Sequence, residues 1–236
     1  RNARGLMKKF RLILNIILIS FISISKSYSL VEVDITRGNL NPLPIAVSPL
    51  FQDNNSNTFF EKELEIEDIG SEISKVIENN LKQSGLFNPL SKDAFLQKPD
   101  IAHLKPRFED WALIKSQALI TGKVTAVNEK LKVEFRLWDV LAGREMLALA
   151  FTTVPSNWRR VGHIITDKVY QRLTGEKGYF DTRIIYVSEE GPKTQRIKKL
   201  AIMDQDGFNT KYLTLGNELV LTPRFNPTNQ MVTYLS

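Results

Sequence analysis

The chain has 236 residues, of which 42% are hydrophobic and 25% are charged, and it contains no cysteine. This composition is typical of a globular protein with one or two domains, and it excludes disordered, collagen-like and disulfide-stapled classes. The lack of cysteine also excludes a thiol nucleophile, a cysteine-ligated zinc ion and an iron–sulfur cluster. The net charge of +6 would favour a nucleic-acid partner, but all of it lies in residues 1–29. The rest of the chain is balanced, so we expect no nucleic-acid partner.

The first 29 residues have the pattern of an export signal. A basic segment at residues 8–11 precedes an apolar run at residues 12–24, and small residues at 27 and 29 form a cleavage-type site. The apolar run is shorter than the ~20 residues that span a bilayer, and a retained membrane anchor is the alternative. We expect Met7 to be the initiator and residues 1–29 to comprise upstream residues and a cleavable signal peptide.

A short strand-like segment, residues 30–41, opens the expected mature chain. Apolar and acidic side chains alternate along residues 31–35, which is the period of a β-strand, and a stretch rich in glycine, asparagine and proline follows. Few neighbours are available to such a segment, so it is predicted to be an edge strand or a mobile arm. Its residues are Leu30, Val31, Glu32, Val33, Asp34, Ile35, Thr36, Arg37, Gly38, Asn39, Leu40 and Asn41.

Residues 42–181 are predicted to form an α/β (α+β) domain with helices on a mixed sheet. The expected elements, in order, are a buried strand at 45–47, a helix at 69–81, a short helix at 107–115, strands at 118–128, 131–139 and 145–153, and a helix at 157–173. Because short turns join the three consecutive strands, we expect them to form an antiparallel meander.

The titratable side chains of this region suggest no catalytic arrangement, and no enzyme is predicted. His163 lies opposite the apolar stripe of its helix and is interpreted as solvated or capping, and the same interpretation applies to His103 in a proline-flanked loop. Arg159 and Arg160 give only a weak phosphate-binding signal. We expect no cofactor, no metal and no small-molecule substrate. Five acids that suggest a cation site are interpreted instead as a solvated face: Glu61, Glu63, Glu65, Glu67 and Asp68.

Residues 182–236 change to short strands separated by turns. Strands are predicted at 183–188, 198–203, 211–215 and 232–235. Asp204 and Asp206 suggest calcium, but the full loop pattern is missing, so a hairpin turn is the preferred interpretation. Such strands fit a β-propeller built from blades of ~40 residues, and this segment holds about one blade.

Collinear stretches of the chain resemble the TolB family, periplasmic proteins of the Tol-Pal system in Gram-negative bacteria. They are PIAVSP (44–49), EDIG (67–70), SGLFNPL (84–90), GKV (122–124), WRRVGH (158–163), LTGEKG (173–178), TRIIYV (182–187), LAIMDQDGFN (200–209) and TPRFNP (222–227). The last one departs from the family, which usually has Ser-Pro-Asp-Gly where this chain has Asn-Pro-Thr-Asn at 226–229.

The resemblance implies a periplasmic adaptor with a six-bladed propeller after the amino-terminal domain. It implies that the arm at residues 30–41 contacts TolA, an inner-membrane protein, and that the propeller binds the outer-membrane lipoprotein Pal. The family serves outer-membrane integrity and cell division. An arm of this kind can add as a strand to a partner's sheet edge. With most blades absent, we expect the Pal contact to be lost.

Two other functions stay open at this point. One is a non-functional fragment or remnant of such an adaptor, since the chain ends inside a propeller repeat. The other is the front of a propeller-bearing serine peptidase, which needs a Gly-x-Ser-x-Gly elbow that this sequence lacks.

Overall fold

A computed structural model describes residues 41–226 and 231–235, so the predicted signal peptide and most of the predicted arm lie outside the described residues. The strands are β1 (Leu43–Val47), β2 (Phe51–Gln52), β3 (Phe87–Pro89), β4 (Ala118–Val127), β5 (Lys130–Asp139), β6 (Arg144–Thr153), β7 (Arg183–Glu190), β8 (Ile197–Asp204), β9 (Lys211–Tyr212), β10 (Leu221–Phe225) and β11 (Val232–Leu235). The helices are α1 (Asn54–Leu64), α2 (Ile69–Gln83), α3 (Pro99–Ala102), α4 (Phe108–Leu113) and α5 (Trp158–Thr174). Among the described residues, no helix has both the length and the apolar character needed to cross a membrane.

The strands before residue 154 form one mixed sheet in the order β3-β1-β4-β5-β6, with β2 paired to β4. β1 is parallel to both β3 and β4, whereas β4, β5 and β6 form the predicted antiparallel meander. Asn128 and Glu129, between β4 and β5, both have positive φ, as a tight hairpin turn requires. The prediction of helices on a mixed sheet is therefore confirmed.

The sheet has a core on each face. On one face, α2 and α5 pack side by side over the sheet, and their apolar stripes supply Ile73, Ile77, Val161 and Ile165 to the larger core. The two helices approach closely, since a Cβ on Gly162 would lie 2.9 Å from Val76 Cγ1.

On the other face, a smaller core surrounds the indole of Trp111, which comes from α4. Its buried members are Ala46, Ala102, Trp111, Leu119 and Val140. Successive residues of a strand point to opposite faces, so β1 directs Ile45 and Val47 into the larger core and Ala46 into the smaller one.

The described strands after residue 182 form two further sheets. β7, β8 and β9 are antiparallel neighbours, and β10 pairs with β11. β9 is shorter than the predicted strand at 211–215, and β10 is not predicted by the sequence pattern. These strands follow the α/β region as expected for the start of a propeller.

Helix α1 is absent from the predicted elements. Only Ser56 and Phe60 of this helix are buried, so its apolar stripe is too thin to be recognised by periodicity. Asp53 caps the helix by accepting a hydrogen bond from the Ser56 backbone N–H at 2.8 Å. This bond to the charged carboxylate holds the pKa of Asp53 below its ordinary value of 3.8.

Replacing Asp53 with alanine should lower the free energy of unfolding by about 1 kcal/mol at pH 7, because the cap is lost. Asp53→Asn is the matched control and should change the free energy of unfolding by at most a few tenths of a kcal/mol, since asparagine caps equally well. A carboxyl with a lowered pKa in the folded state stabilises the protein above its unfolded pKa and loses that contribution as the pH falls. The difference between wild type and Asp53→Ala in urea denaturation should therefore shrink below pH 3.8; a constant difference would contradict this role.

Candidate functional site

The predicted partner-binding arm lies almost wholly outside the described residues. Of its twelve positions, only Asn41 is described, and it is exposed. Two residues later the chain enters β1, which lies between β3 and β4. The interpretation of residues 30–41 as an arm therefore stays a prediction.

A buried polar cluster lies where α2 and α5 contact the turn between β8 and β9. Asn80 comes from α2, His163 and Thr166 come from α5, and Gln205 comes from the turn. The Asn80 side-chain amide lies 2.9 Å from His163 Nδ1 and donates to Thr166 Oγ1 at 3.3 Å. Gln205 Nε2 donates to Asn80 Oδ1 at 3.0 Å, so Asn80 links both helices to the turn.

Arg159 and Asp206 form a buried ion pair at the edge of this cluster. Their side chains are 14% and 4% exposed. The guanidinium carbon of Arg159 lies 4.1 Å from the ring centre of Phe208 and 5.4 Å from that of Trp158. Charge, hydrogen bond and aromatic contact thus hold the turn against the start of α5.

The next residue along the helix, Arg160, forms a more exposed pair with Asp181, in which Nε lies 3.0 Å from Oδ1. Hydrogen bonding to that carboxylate raises the pKa of Arg160 above its ordinary value. Both arginines of the weak phosphate-binding signal are therefore paired with carboxylates.

The prediction that His163 is solvated or capping is wrong. Its ring is 2% exposed, because α5 is buried on two faces: the apolar stripe covers the sheet, while His163 faces α2 and the β8–β9 turn. Burial lowers the pKa of His163, and this outweighs the opposite effect of the nearby Asp206 and Asp204 charges.

Other predicted residues lie where the sequence pattern indicated. His103 ends α3, with Nδ1 3.0 Å from the Pro99 carbonyl oxygen and its ring stacked on Phe51 at 4.4 Å. All five acids between residues 61 and 68 are exposed. Asp204 and Asp206 lie in the hairpin turn, where the Gly207 N–H donates to the Asp204 carbonyl at 3.0 Å.

The same two aspartates lie beside His163, a contact that sequence reasoning missed. In the described part of the chain, one group of potential metal ligands converges, and it consists of His163, Asp204 and Asp206. One ligand atom from each residue lies within 4.8 Å of the other two. The sequence contained a weak signal for this second buried face of α5. Gly162 and Thr166 lie on the same side of the helix as His163, and both are small residues that allow close packing.

Comparison with known proteins identifies the family. Residues 31–146 match the TolB amino-terminal domain and residues 170–236 match the TolB beta propeller domain. The chain is 80% identical over 226 residues to the Tol-Pal system protein TolB of Pelagibacter ubique (strain HTCC1062), which covers 95% of this chain and 51% of that protein. This chain belongs to the TolB family. It spans about half the length of that TolB relative.

A solved TolB structure supports the same fold. The crystal structure of TolB from Acinetobacter baumannii matches with a TM-score of 0.67 and 24% identity, over 88% of this chain and 47% of that one. The TolB arrangement of an α/β region followed by propeller strands thus agrees with the described elements.

Proposed function

We propose that this TolB-family chain is a non-enzymatic adaptor of the periplasm, linking a TolA-type inner-membrane protein to the outer-membrane lipoprotein Pal. Such a link serves outer-membrane integrity and cell division. The observation that carries the proposal is the 80% identity to a Tol-Pal system protein along 95% of the chain. TolB is a Tol-Pal component rather than a member of an enzyme family, which agrees with an adaptor that works by protein contacts.

We further propose that each segment has its own task. Residues 1–29 direct export and are removed, and residues 30–41 bind the TolA-type partner. Residues 42–181 form the α/β domain that carries the arm, and residues 182–236 belong to the propeller. The Pal contact is assigned to the complete propeller, and the single blade in residues 182–236 is not expected to form it. The arm is attached directly to β1, so a partner that holds the arm is coupled to the strand shared by both cores.

The arm is proposed to bind by adding a strand to the edge of a partner's sheet. Val31, Val33 and Ile35 then face one side, and Glu32 and Asp34 face the other. Main-chain hydrogen bonds supply affinity in this mode, and alternate side chains supply specificity.

Deleting residues 30–41 from the mature protein should abolish capture of the periplasmic part of a TolA-type partner. Circular dichroism and the melting temperature should stay unchanged, because the deletion stops before β1. Capture that survives the deletion would contradict the arm assignment.

Two single substitutions test the strand-addition mode itself. Val33→Pro removes a main-chain donor and should weaken binding at least about tenfold, the equivalent of ~1.4 kcal/mol. Val33→Thr keeps the donor and the β-branched shape, and is the matched control that should bind nearly as wild type. Equal affinities for the two variants would contradict strand addition in which the Val33 N–H is bonded to the partner.

A further inference from the structure

His163 presents a buried ring nitrogen that has no hydrogen-bond partner among the described residues. Its Nε2 lies 3.8 Å from Asp206 Oδ2 and 3.9 Å from Asp204 Oδ2, which is too far for a hydrogen bond to either carboxylate. A buried polar group left unpaired is costly, so such groups call for an explanation. The nitrogen is aimed at the space between the two carboxylates, which points to an atom bound there.

The donor set suits a divalent transition metal. Imidazole nitrogen and carboxylate oxygen are both zinc ligands, each at about 2.0–2.2 Å from the ion. Two ligands of a tetrahedral zinc ion therefore lie about 3.4 Å apart. His163 Nε2 lies 3.8 Å from Asp206 Oδ2 and 3.9 Å from Asp204 Oδ2, so binding requires the side chains to close in by roughly half an ångström. The two carboxylate oxygens already accept hydrogen bonds, Asp206 Oδ2 from Arg159 and Asp204 Oδ2 from Asn209, so a bound ion would share these oxygens with their donors.

The charge balance favours a cation over a water molecule. Two carboxylates, Asp204 and Asp206, lie beside the ring. Arg159 is the largely buried positive charge next to them, and it pairs with Asp206. Asp204 has Arg183 at 3.9 Å, but that arginine side chain is 62% exposed and contributes little. The two carboxylates and Arg159 together carry one net negative charge, which attracts a cation to this position, and a divalent ion would more than offset it.

Asn80 is placed to orient the ring from behind. A metal-binding histidine usually donates its other ring N–H to an oxygen atom, which sets its tautomer. Asn80 lies 2.9 Å from His163 Nδ1, and with its amide turned over, the carbonyl oxygen would accept that proton. Gln205 would turn in the same way to keep its bond to Asn80. The Thr166 hydroxyl, which donates to the Gly162 carbonyl, would have to donate to Asn80 instead.

We propose that His163, Asp204 and Asp206 form a zinc-binding site that ties the β8–β9 turn to α5. The site lies within the described part of the chain, and it does not depend on the TolA or Pal contacts. Its role is to fasten the first propeller strands to the α/β helices.

The experiment uses the full mature chain, purified without a histidine tag and dialysed against EDTA. Zinc chloride is titrated by calorimetry, and the melting temperature is measured with and without zinc. We expect one zinc ion per chain and a rise in melting temperature, because an ion that binds the folded state stabilises it.

Matched variants assign the ligands. His163→Gln and Asp204→Asn should each weaken zinc binding at least about tenfold, while His103→Gln, the other histidine of the chain, should leave it unchanged. If His163→Gln fails to fold, Asp204→Asn carries the test, since Asp204 is the more exposed ligand. An unchanged melting temperature of the wild type in zinc would overturn the proposal and would indicate a water molecule at this position. The proposal is also overturned if both ligand variants bind zinc as tightly as wild type.

Discussion

Replacing Trp111 with alanine is expected to lower the free energy of unfolding by about 3–5 kcal/mol. The indole is 1% exposed and belongs to the smaller core, where it packs in a T-shaped arrangement with the Phe95 ring, the two ring centroids lying 5.0 Å apart. Alanine would leave a cavity between α4 and the sheet that rigid strands cannot close. Urea denaturation followed by circular dichroism measures the loss.

The hydrogen bond of Trp111 can be separated from its packing. Its Nε1–H donates to Gln97 Oε1 at 3.0 Å, and that oxygen also accepts the Arg107 backbone N–H at 3.0 Å. Trp111→Phe removes the first bond but keeps most of the ring, so it should cost only about 1 kcal/mol. Equal losses for alanine and phenylalanine would show that the bond, and not the packing, carries the stability.

Replacing Asp206 with asparagine is expected to cost about 3 kcal/mol, because Arg159 would remain buried without a counter-charge. The loss should be concentrated where the β8–β9 turn meets α5, so amide exchange in β8 and β9 should accelerate. Both quantities are measured in EDTA, so that no bound metal contributes.

Neighbouring residues supply the controls for this ion pair. Asp181→Asn breaks the exposed pair with Arg160 and should cost less than about 1 kcal/mol. The double variant Arg159→Met with Asp206→Asn removes both buried charges and should recover much of the loss, because the desolvation of an unpaired charge disappears. If Asp206→Asn and Asp181→Asn prove equally mild, the Arg159 pair does not hold the turn.

The sequence pattern predicted those elements that bury one regular face. The meander of β4, β5 and β6 and the apolar stripes of α2 and α5 follow from side-chain periods of 2 and 3.6. Helix α1 escapes this reasoning because its stability depends on a cap at Asp53 and one large buried side chain, Phe60, rather than on a stripe.

The polar cluster could not be predicted because it depends on which distant segments meet. Asn80, His163 and Gln205 are far apart in the chain, and in the sequence each of them is a polar residue with no pattern that predicts its burial. The spacing of apolar side chains in α5 identifies the helix face that covers the sheet. It does not reveal that a second, polar face of the same helix contacts the β8–β9 hairpin. Predicting that contact requires tertiary structure.

The unequal sizes of the two cores fix the register of the sheet at β1. Shifting a strand by one residue exchanges the faces to which all of its side chains point. Such a slip would press Ile45 and Val47 into the small core around Trp111, and would leave Ala46 to fill the space beneath α2 and α5. The small core around Trp111 would be overfilled, and the larger core beneath α2 and α5 would contain a cavity. This short strand therefore has one acceptable alignment with its parallel neighbours.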